Sequence, residues 1–206
     1  MEATCWSDYL CPWCYVGQDR SRLLESLGVT VVHRPYELHP EIPAEGRSIK
    51  ADGRMAPTFR RIAAESEAVG LPFRAPVRMP NTRRALETAE WVRLHHPDAF
   101  DELHAALFDA HFARGLAIDD PDVIDELVRS AGAPAAAVRE AVTSGAAHDI
   151  VSTSMDEARA TGVSSTPTWV LDHGFTVPGA LDRPTLERWV TKLVARSTPP
   201  SPTPHR

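Results

Sequence analysis

The sequence predicts an α/β fold in which a β-α-β unit and a later β-β-α unit are separated by a large all-helical insertion. Three observations support this prediction. A short apolar strand pattern leads into Cys11-Pro12-Trp13-Cys14 at the start of an amphipathic helix, the middle of the chain carries mostly helical periodicity, and β-branched segments return after Gly162. With 206 residues, the chain is long enough for one domain that holds such an insertion and a substantial core.

Composition and charge exclude several classes of function. The hydrophobic fraction of 43% and the charged fraction of 24% are ordinary for a soluble protein. A net charge of −6 without a basic stripe argues against a nucleic-acid partner. No run has membrane-spanning length, so no membrane partner is expected. Because Met1 lies only ten residues before Cys11, there is no room for a secretory signal, and we expect a cytoplasmic protein if Met1 is the native start.

The first β-α-β unit is predicted near the start of the chain. Thr4–Tyr9 has the pattern of a central strand, a helix follows from Pro12 to a stop at Gly28, and Val29–His33 is a β-branched strand. A strand, a helix and a strand in this order form a parallel pair with a right-handed crossover. A C-x-x-C motif beside such a unit is typical of a thioredoxin-like redox fold.

The two cysteines of the motif are predicted to form a reactive dithiol. Pro12 fits the first helical turn, which places Cys11 at the cap, facing free backbone N–H groups and the positive end of the helix dipole. Thiol pKa values in such settings fall to roughly 3.5–7.5. Cys14, three residues on, shares this face and can close a disulfide. We therefore predict that Cys11 is the exposed nucleophile and Cys14 the resolving thiol.

Other roles for these residue types are weaker. A structural zinc site needs a second pair of ligands, and the only other cysteine is Cys5, which is predicted to be a buried hydrophobe in the first strand, so no metal is expected. His104 and His111 are expected on one polar or boundary face of a helix. Asp8 could manage protons for the resolving thiol, but bonding to the backbone of the turn is the favoured role.

The middle of the chain is predicted to be helical. A loop runs from Tyr36 to about Gly53, and Leu71–Pro80 is a connector. The helices are predicted over Met55–Val69, Arg83–His95, around Phe100–His111, from Asp120-Pro121 to Gly132, and over Pro134–Thr143. We therefore assign residues 1–53 and 147–196 to two parts of a thioredoxin-like domain, residues 54–146 to a helical insertion, and residues 197–206 to a disordered, proline-rich tail.

The second unit begins with a helix near Ala147–Thr161. Thr168–Leu171 and Phe175–Val177 flank Asp172-His173-Gly174 and predict a β-hairpin. A last helix is predicted over Arg183–Arg196, with its apolar residues on one face. The second unit is therefore α-β-β-α after the insertion.

Four segments are typical of one protein family. They are Ser7-Asp8-Tyr9-Leu10-Cys11-Pro12-Trp13-Cys14-Tyr15-Val16-Gly17, Pro35-Tyr36-Glu37-Leu38-His39-Pro40, Pro80-Asn81-Thr82 and Gly162-Val163-Ser164-Ser165-Thr166-Pro167-Thr168. With them the sequence resembles, over nearly the whole chain except its tail, the DsbA family of thiol-disulfide oxidoreductases, and within it the FrnE-like branch. The resemblance implies a thioredoxin fold in which the helical insertion is a lid (DsbA-like).

The resemblance also implies roles for individual residues. Pro167 is expected to be cis and to lie against the dithiol. Thr166 would offer its backbone N–H and C=O to a substrate that pairs with it as a short strand. Pro12 and Trp13 are expected to contact the substrate, with Trp13 as an exposed apolar surface; the alternative role for Trp13 is packing on the lid.

The expected activity is thiol-disulfide exchange in the cytoplasm through Cys11 and Cys14. The partner would be a protein or a small molecule that contains a disulfide or a dithiol, and the protein itself would be a monomer or a homodimer. No bound cofactor is expected, and glutathione or another low-molecular-weight thiol would act as a co-substrate. Thr166 stands where Val is frequent among strongly oxidising relatives, so the resemblance does not carry over the direction of electron flow.

A second class of function stays open. The same fold and insertion occur in 2-hydroxychromene-2-carboxylate isomerases and kappa-class glutathione transferases, which hold a thiol cofactor at the dithiol position and act on small aromatic molecules. Asn81 could bind such a ligand, or it could cap a helix. Those relatives usually carry Ser at the position of Cys11 and lack the second thiol. Retention of Cys11 and Cys14 therefore favours redox chemistry.

Overall fold

The computed structural model describes residues 1–50 and 53–197 of the chain. The strands are β1 (Glu2–Ser7), β2 (Thr30–Pro35), β3 (Arg47–Ser48), β4 (Arg78–Met79), β5 (Thr168–Leu171) and β6 (Phe175–Pro178). The helices are α1 (Pro12–Ser26), α2 (Ala56–Ala68), α3 (Arg83–His95), α4 (Pro97–Phe112), α5 (Pro121–Ser130), α6 (Ala135–Thr143), α7 (His148–Ala160) and α8 (Arg183–Ser197).

The main sheet has the order β2-β1-β5-β6. Strand β1 runs parallel to β2 and antiparallel to β5, and β5 and β6 form the predicted hairpin around a 3₁₀ turn at Asp172–Gly174. These pairings confirm both predicted units. Strand β1 is shifted toward the N-terminus relative to the prediction, because the chain already turns at Asp8, whose carbonyl oxygen accepts the N–H of Cys11 at 3.0 Å.

Helices α2 to α6 lie between the two units, as the periodicity predicts. The cap predicted at Asp120 is present, since its side chain accepts the N–H of Asp122. The short antiparallel pair β3-β4 lies in segments predicted as a loop and a connector. That prediction was wrong for these residues, because a two-residue pairing leaves no periodic signal in the sequence.

Two large apolar clusters form most of the core. One joins the insertion to the start of α1 and contains Tyr9, Cys11 and Cys14. The other packs α1 and α8 against one face of the sheet and includes the fully buried Trp169. Consecutive residues of β1 face opposite sides of the sheet, and Trp6 accordingly packs with residues near α7. The dithiol therefore sits where the helical insertion meets the sheet.

Two predictions about the surface are corrected: the exposure of His104 and His111, and the assignment of Ser197 to the tail. His104 and His111 are buried, with 7% and 6% of their surfaces exposed, because α4 packs against other elements on the face that carries them. The predicted tail lies outside the described residues, apart from Ser197, which ends α8. Among the described helices, none combines the length and the apolar character that a membrane span requires.

Candidate active site

The dithiol lies at the first turn of α1, as the sequence predicts. Cys11 is the N-cap residue, in an extended conformation, and Pro12 occupies the first turn. The N–H groups of Cys14 and Tyr15 both donate to the carbonyl oxygen of Cys11, at 3.0 and 3.3 Å. This turn places Cys14 one helical turn beyond Cys11, and all three cysteines of the chain are free thiols.

The two thiols have opposite electrostatic environments. The pKa of Cys11 is lowered, chiefly because the side chain of Cys14 hydrogen-bonds to its sulfur, with help from the backbone N–H of Cys14. Burial and the negative charge of Asp8 oppose this effect. The pKa of Cys14 is raised well above its usual value, first by burial and then by its contact with Cys11. Cys11 is therefore the thiol of the pair that ionises first.

Cys11 is not exposed, and this part of the prediction was wrong. Only 4% of its surface is accessible, against 3% for Cys14. A helix start supplies free N–H groups but does not guarantee solvent, and here the insertion and the loop before β5 cover the sulfur. Pro12 and Trp13, between the two cysteines, keep intermediate exposure. They are the accessible part of the motif, and a contact of these two residues with a substrate stays a prediction.

The loop before β5 closes the other side of the dithiol. The Thr166–Pro167 peptide bond is cis, and the thiol of Cys11 donates to the carbonyl oxygen of Thr166 at 3.5 Å. A Cβ atom at Gly17 would lie only 3.3 Å from Cγ of Pro167 and 3.3 Å from the ring of Trp169. A glycine in α1 therefore allows the helix to approach this loop closely. The structure thus brings Cys11, Cys14, Thr166 and Pro167 together.

Asp8 is a buried carboxyl group beside the dithiol. Burial raises its pKa to about 6, and the charge of Glu37 adds to the rise. The backbone N–H groups of Leu38 and Leu10 donate to its two oxygens at 2.7 and 3.2 Å and limit the shift. The favoured prediction of backbone bonding is confirmed. A carboxyl group with this pKa also meets the requirement for exchanging a proton near neutral pH.

A tyrosine–histidine pair next to the dithiol was not predicted. The hydroxyl of Tyr9 and Nδ1 of His104 are 2.9 Å apart and buried, and the His104 ring lies 4.3 Å from the ring of His33. Burial lowers the pKa of His104 well below its usual value and that of His33 to about 4, so both rings are neutral near pH 7. Tyr9 belongs to the motif itself, but nothing in the sequence marks His104 as its partner.

Cys5 and Asn81 both make structural contacts. Cys5 is buried in β1, which confirms its predicted role as a buried hydrophobe, and burial raises its pKa well above the usual value. The Asn81 amide donates to the carbonyl oxygen of Ile42 at 2.6 Å and accepts the N–H of Arg83 at 3.0 Å. It therefore ties the loop after β2 to the start of α3, and a contact with a ligand stays a prediction.

Within residues 1–50 and 53–197, no three His, Cys, Asp or Glu side chains are placed to hold a metal ion.

Comparison with known proteins agrees with this geometry. The sequence profile of the DSBA-like thioredoxin domain matches residues 3–190, which include the dithiol and the cis-proline loop. The chain belongs to this family. Its fold, a mixed sheet with a helical insertion, is the DsbA-like thioredoxin fold.

Three solved structures place this DSBA-like domain among its relatives. A probable DsbA oxidoreductase from Streptomyces coelicolor is 26% identical, covers 98% of this chain and 93% of its own, and superposes with a TM-score of 0.86. A 2-hydroxychromene-2-carboxylate isomerase is 19% identical, with 95% and 97% coverage and a TM-score of 0.77. The cytosolic disulfide reductase DsbM from Pseudomonas aeruginosa, in a structure with GSH, is 19% identical, with 95% and 98% coverage and a TM-score of 0.65.

Proposed function

We propose that this protein is a thiol-disulfide oxidoreductase that exchanges disulfides through Cys11 and Cys14. The observation that carries the proposal is the pairing of a thiol with a lowered pKa at a helix N-cap and a buried neighbour with a raised pKa. Such a pair divides the two steps of disulfide exchange between one nucleophile and one resolving thiol. Membership in the DSBA-like family supports the same class of chemistry.

The first step is attack of the Cys11 thiolate on a substrate disulfide. A new S–S bond joins Cys11 to one half of the substrate, and the other half leaves as a thiolate. Because both cysteines are buried, the substrate must contact the partly exposed edge formed by Pro12 and Trp13. The backbone of Thr166 lies beside the Cys11 sulfur and is proposed to pair with an extended substrate.

The second step needs a proton acceptor, because the pKa of Cys14 is raised. Asp8, whose backbone contacts Cys14 and whose buried carboxyl group has a pKa of about 6, is proposed to accept this proton at neutral pH. The Cys14 thiolate then attacks the Cys11 sulfur, the second half of the substrate leaves as a thiolate, and a Cys11–Cys14 disulfide remains. The substrate has gained two electrons and the protein has lost two.

A reduced low-molecular-weight thiol such as glutathione is proposed to return the pair to the dithiol form, with glutathione disulfide as the oxidised product. The reverse direction would oxidise a substrate dithiol. The cytoplasm is proposed as the compartment, where a C-x-x-C motif is more often catalytic than structural. The proposed substrate is a protein or a small molecule that contains a disulfide.

Two measurements test the proposal. Equilibration of the protein in glutathione buffers, followed by alkylation and mass measurement, should give a reversible two-electron transition of Cys11 and Cys14. A midpoint at about −120 to −180 mV would indicate an oxidant or isomerase, and one at about −270 mV a reductant. In a parallel experiment, Cys14→Ser should accumulate a mixed disulfide on Cys11, and Cys11→Ser should form none.

The alternative function is a thiol-dependent isomerase or transferase that acts on a small aromatic molecule. The structural likeness to an isomerase shows the shared fold alone. If no intramolecular disulfide forms at any potential, while glutathione binds tightly without oxidation of Cys11, the oxidoreductase proposal is wrong and the alternative replaces it.

A further inference from the structure

Trp13 and Arg61 form a pair at the accessible edge of the dithiol. Cys11 and Cys14 are buried, whereas Trp13 between them is partly exposed. The guanidinium carbon of Arg61, on α2, lies 5.0 Å from the centre of the Trp13 ring. The helical insertion thus places a cation directly over the one aromatic side chain that lies between the two cysteines.

The charge of Arg61 is not neutralised by a neighbouring carboxylate. Arg61 is exposed and, over the ranges 1–50 and 53–197, makes neither an ion pair nor a hydrogen bond of its side chain. Arg20 and Arg83, by contrast, are both paired with carboxylates. Arg60, the neighbour of Arg61 on α2, is likewise exposed. This basic edge occurs on a chain whose net charge is −6, so the positive charge is a local feature of the site.

The contact with Trp13 leaves Arg61 able to bind an anion. The Arg61 guanidinium is exposed, and no hydrogen bond of its side chain is present within residues 1–50 and 53–197, so its N–H donors remain available. Those donors match the two oxygens of a carboxylate and bind it through paired hydrogen bonds. Trp13 in turn offers apolar surface to the carbon atoms beside a substrate sulfur. One side of the pair therefore suits an aliphatic thiol and the other suits a carboxylate on the same molecule.

We propose that the Trp13–Arg61 pair selects disulfides that carry a carboxylate close to the sulfur. The inference rests on the proposed disulfide exchange and adds the substrate class. The step concerned is the first one, in which the Cys11 thiolate breaks the substrate S–S bond, forms an S–S bond to one half and releases the other half as a thiolate.

The test uses three disulfides that differ in charge. Fully reduced full-length protein is mixed with 3,3′-dithiodipropionate, bis(2-hydroxyethyl) disulfide or cystamine, which carry two carboxylates, no charge and two ammonium groups. The second-order rate constant for loss of the reduced protein is followed by acid quenching, alkylation and mass measurement, so that the mixed disulfide on Cys11 and the Cys11–Cys14 disulfide are both counted. Each constant is divided by that of the same disulfide with 2-mercaptoethanol, whose thiol carries no other charged group, which removes differences in intrinsic reactivity.

The wild-type protein should prefer the anionic disulfide over the neutral one, and the neutral one over cystamine. Arg61→Gln should lower the anionic rate constant by about two- to fivefold, leave the neutral one unchanged, and raise the cystamine constant. High salt should reduce the wild-type preference, since the contact is exposed. Arg60→Gln removes the same charge from the adjacent position and is the control, with a smaller expected effect.

The outcomes distinguish a failure of the carboxylate selection from a failure of the proposed oxidoreductase function. If the wild-type protein reacts with all three disulfides without a charge preference, or if Arg60→Gln changes the ratio as much as Arg61→Gln does, the carboxylate selection is wrong and the oxidoreductase function stands. If Cys11 reacts with none of the three disulfides, the proposed function itself is wrong.

Discussion

The carboxyl group of Asp8 accepts the backbone N–H of Leu38 at 2.7 Å, which joins the loop after β2 to the turn that carries the dithiol. Asp8 is completely buried, and its pKa is raised to about 6 by that burial. The N–H of Leu10 donates to the other carboxyl oxygen of Asp8 and limits the rise of its pKa. The group therefore changes its protonation state in the pH range where thiol exchange takes place.

Asp8→Asn should remove the pH dependence of the resolving step. In the wild-type protein, the rate at which Cys14 attacks the mixed disulfide should rise as pH passes through about 6, because ionised Asp8 can then take the thiol proton. General-base effects of this kind are about a hundredfold or more, and we expect a loss of that order at pH 7. Reduced protein mixed with dithiobis(nitrobenzoate) releases two chromophores, of which the second reports this step.

The first release provides the control in the same experiment. It reports attack by Cys11, whose pKa is already lowered, and should change little at neutral pH in Asp8→Asn. An inflection near pH 6 that persists in the second phase of the variant would exclude Asp8 as the proton acceptor.

The same carboxyl group should influence stability with a definite sign. In the unfolded chain its pKa is near 3.8, and in the folded protein about 6. Between these values the folded state keeps a proton that the unfolded state has lost, so the free energy of unfolding falls as pH rises. The contribution amounts to on the order of 3 kcal/mol between pH 4 and 7. Urea unfolding at several pH values should show this fall in the wild-type protein relative to Asp8→Asn.

The buried histidines make the comparison with Asp8→Asn necessary. Burial lowers the pKa of both His33 and His111 to about 4, so each contributes stability that is lost as pH falls from about 6.5 through 4. Their sign is opposite to that of Asp8. A difference between wild type and variant that is flat from pH 4 to 7 would contradict the raised pKa of Asp8.

The elements that local chemistry defines could be predicted from the sequence. Pro12 after Cys11 marks the start of α1, and Asp120 before Pro121 marks the start of α5, because caps and first-turn prolines act over three or four residues. The parallel pairing of β1 with β2 followed from the short connection through α1, and the pairing of β5 with β6 followed from the hairpin turn, but neither signal predicts that β1 pairs with β5. The position of Cys11 at the N-cap of α1, with Cys14 one turn further on, was predictable for the same reason.

Features that depend on residues far apart in the chain could not be predicted in this way. The burial of Cys11 is produced by the insertion and by the loop at Thr166, which is 155 residues away. The partner of Tyr9 is 95 residues away on α4, and the cation over Trp13 comes from α2. A single sequence contains no periodic or local signal for such contacts, which arise only when the elements pack.

Tyr9→Phe should destabilise the protein without changing its shape. The variant removes the hydroxyl bonded to Nδ1 of His104 and leaves that buried nitrogen without its partner, at a cost of about 1–3 kcal/mol. Tyr36→Phe is a matched control, since no hydrogen bond of its hydroxyl is present over the described ranges. We expect a change of about 0.5 kcal/mol or less there. Urea unfolding at pH 7 measures the loss of stability in both variants. Equal losses in Tyr9→Phe and Tyr36→Phe would mean that the Tyr9–His104 hydrogen bond does not stabilise the protein.

Arg83→Met should raise the pKa of Asp8, although Arg83 contacts neither the Cys11 sulfur nor the Cys14 sulfur. Arg83 is paired with Glu37 at 3.1 Å and with Glu87 at 2.6 Å, and it also donates to the carbonyl oxygen of His148 at 2.7 Å. Glu37 is one of the groups that raise the pKa of Asp8. Loss of the guanidinium leaves this negative charge unbalanced, so Asp8 should hold its proton to a higher pH.

The measurement is again the second chromophore released from dithiobis(nitrobenzoate), now as a function of pH. Its inflection should lie above that of the wild-type protein in Arg83→Met, and the rate well above the inflection should be unchanged. Arg84→Met removes an equal charge from the next residue, which makes no ion pair within residues 1–50 and 53–197, and should leave the inflection in place. The same shift in both variants would mean that overall charge acts on Asp8, and no shift in either would mean that Arg83 only holds α3, α7 and the loop together.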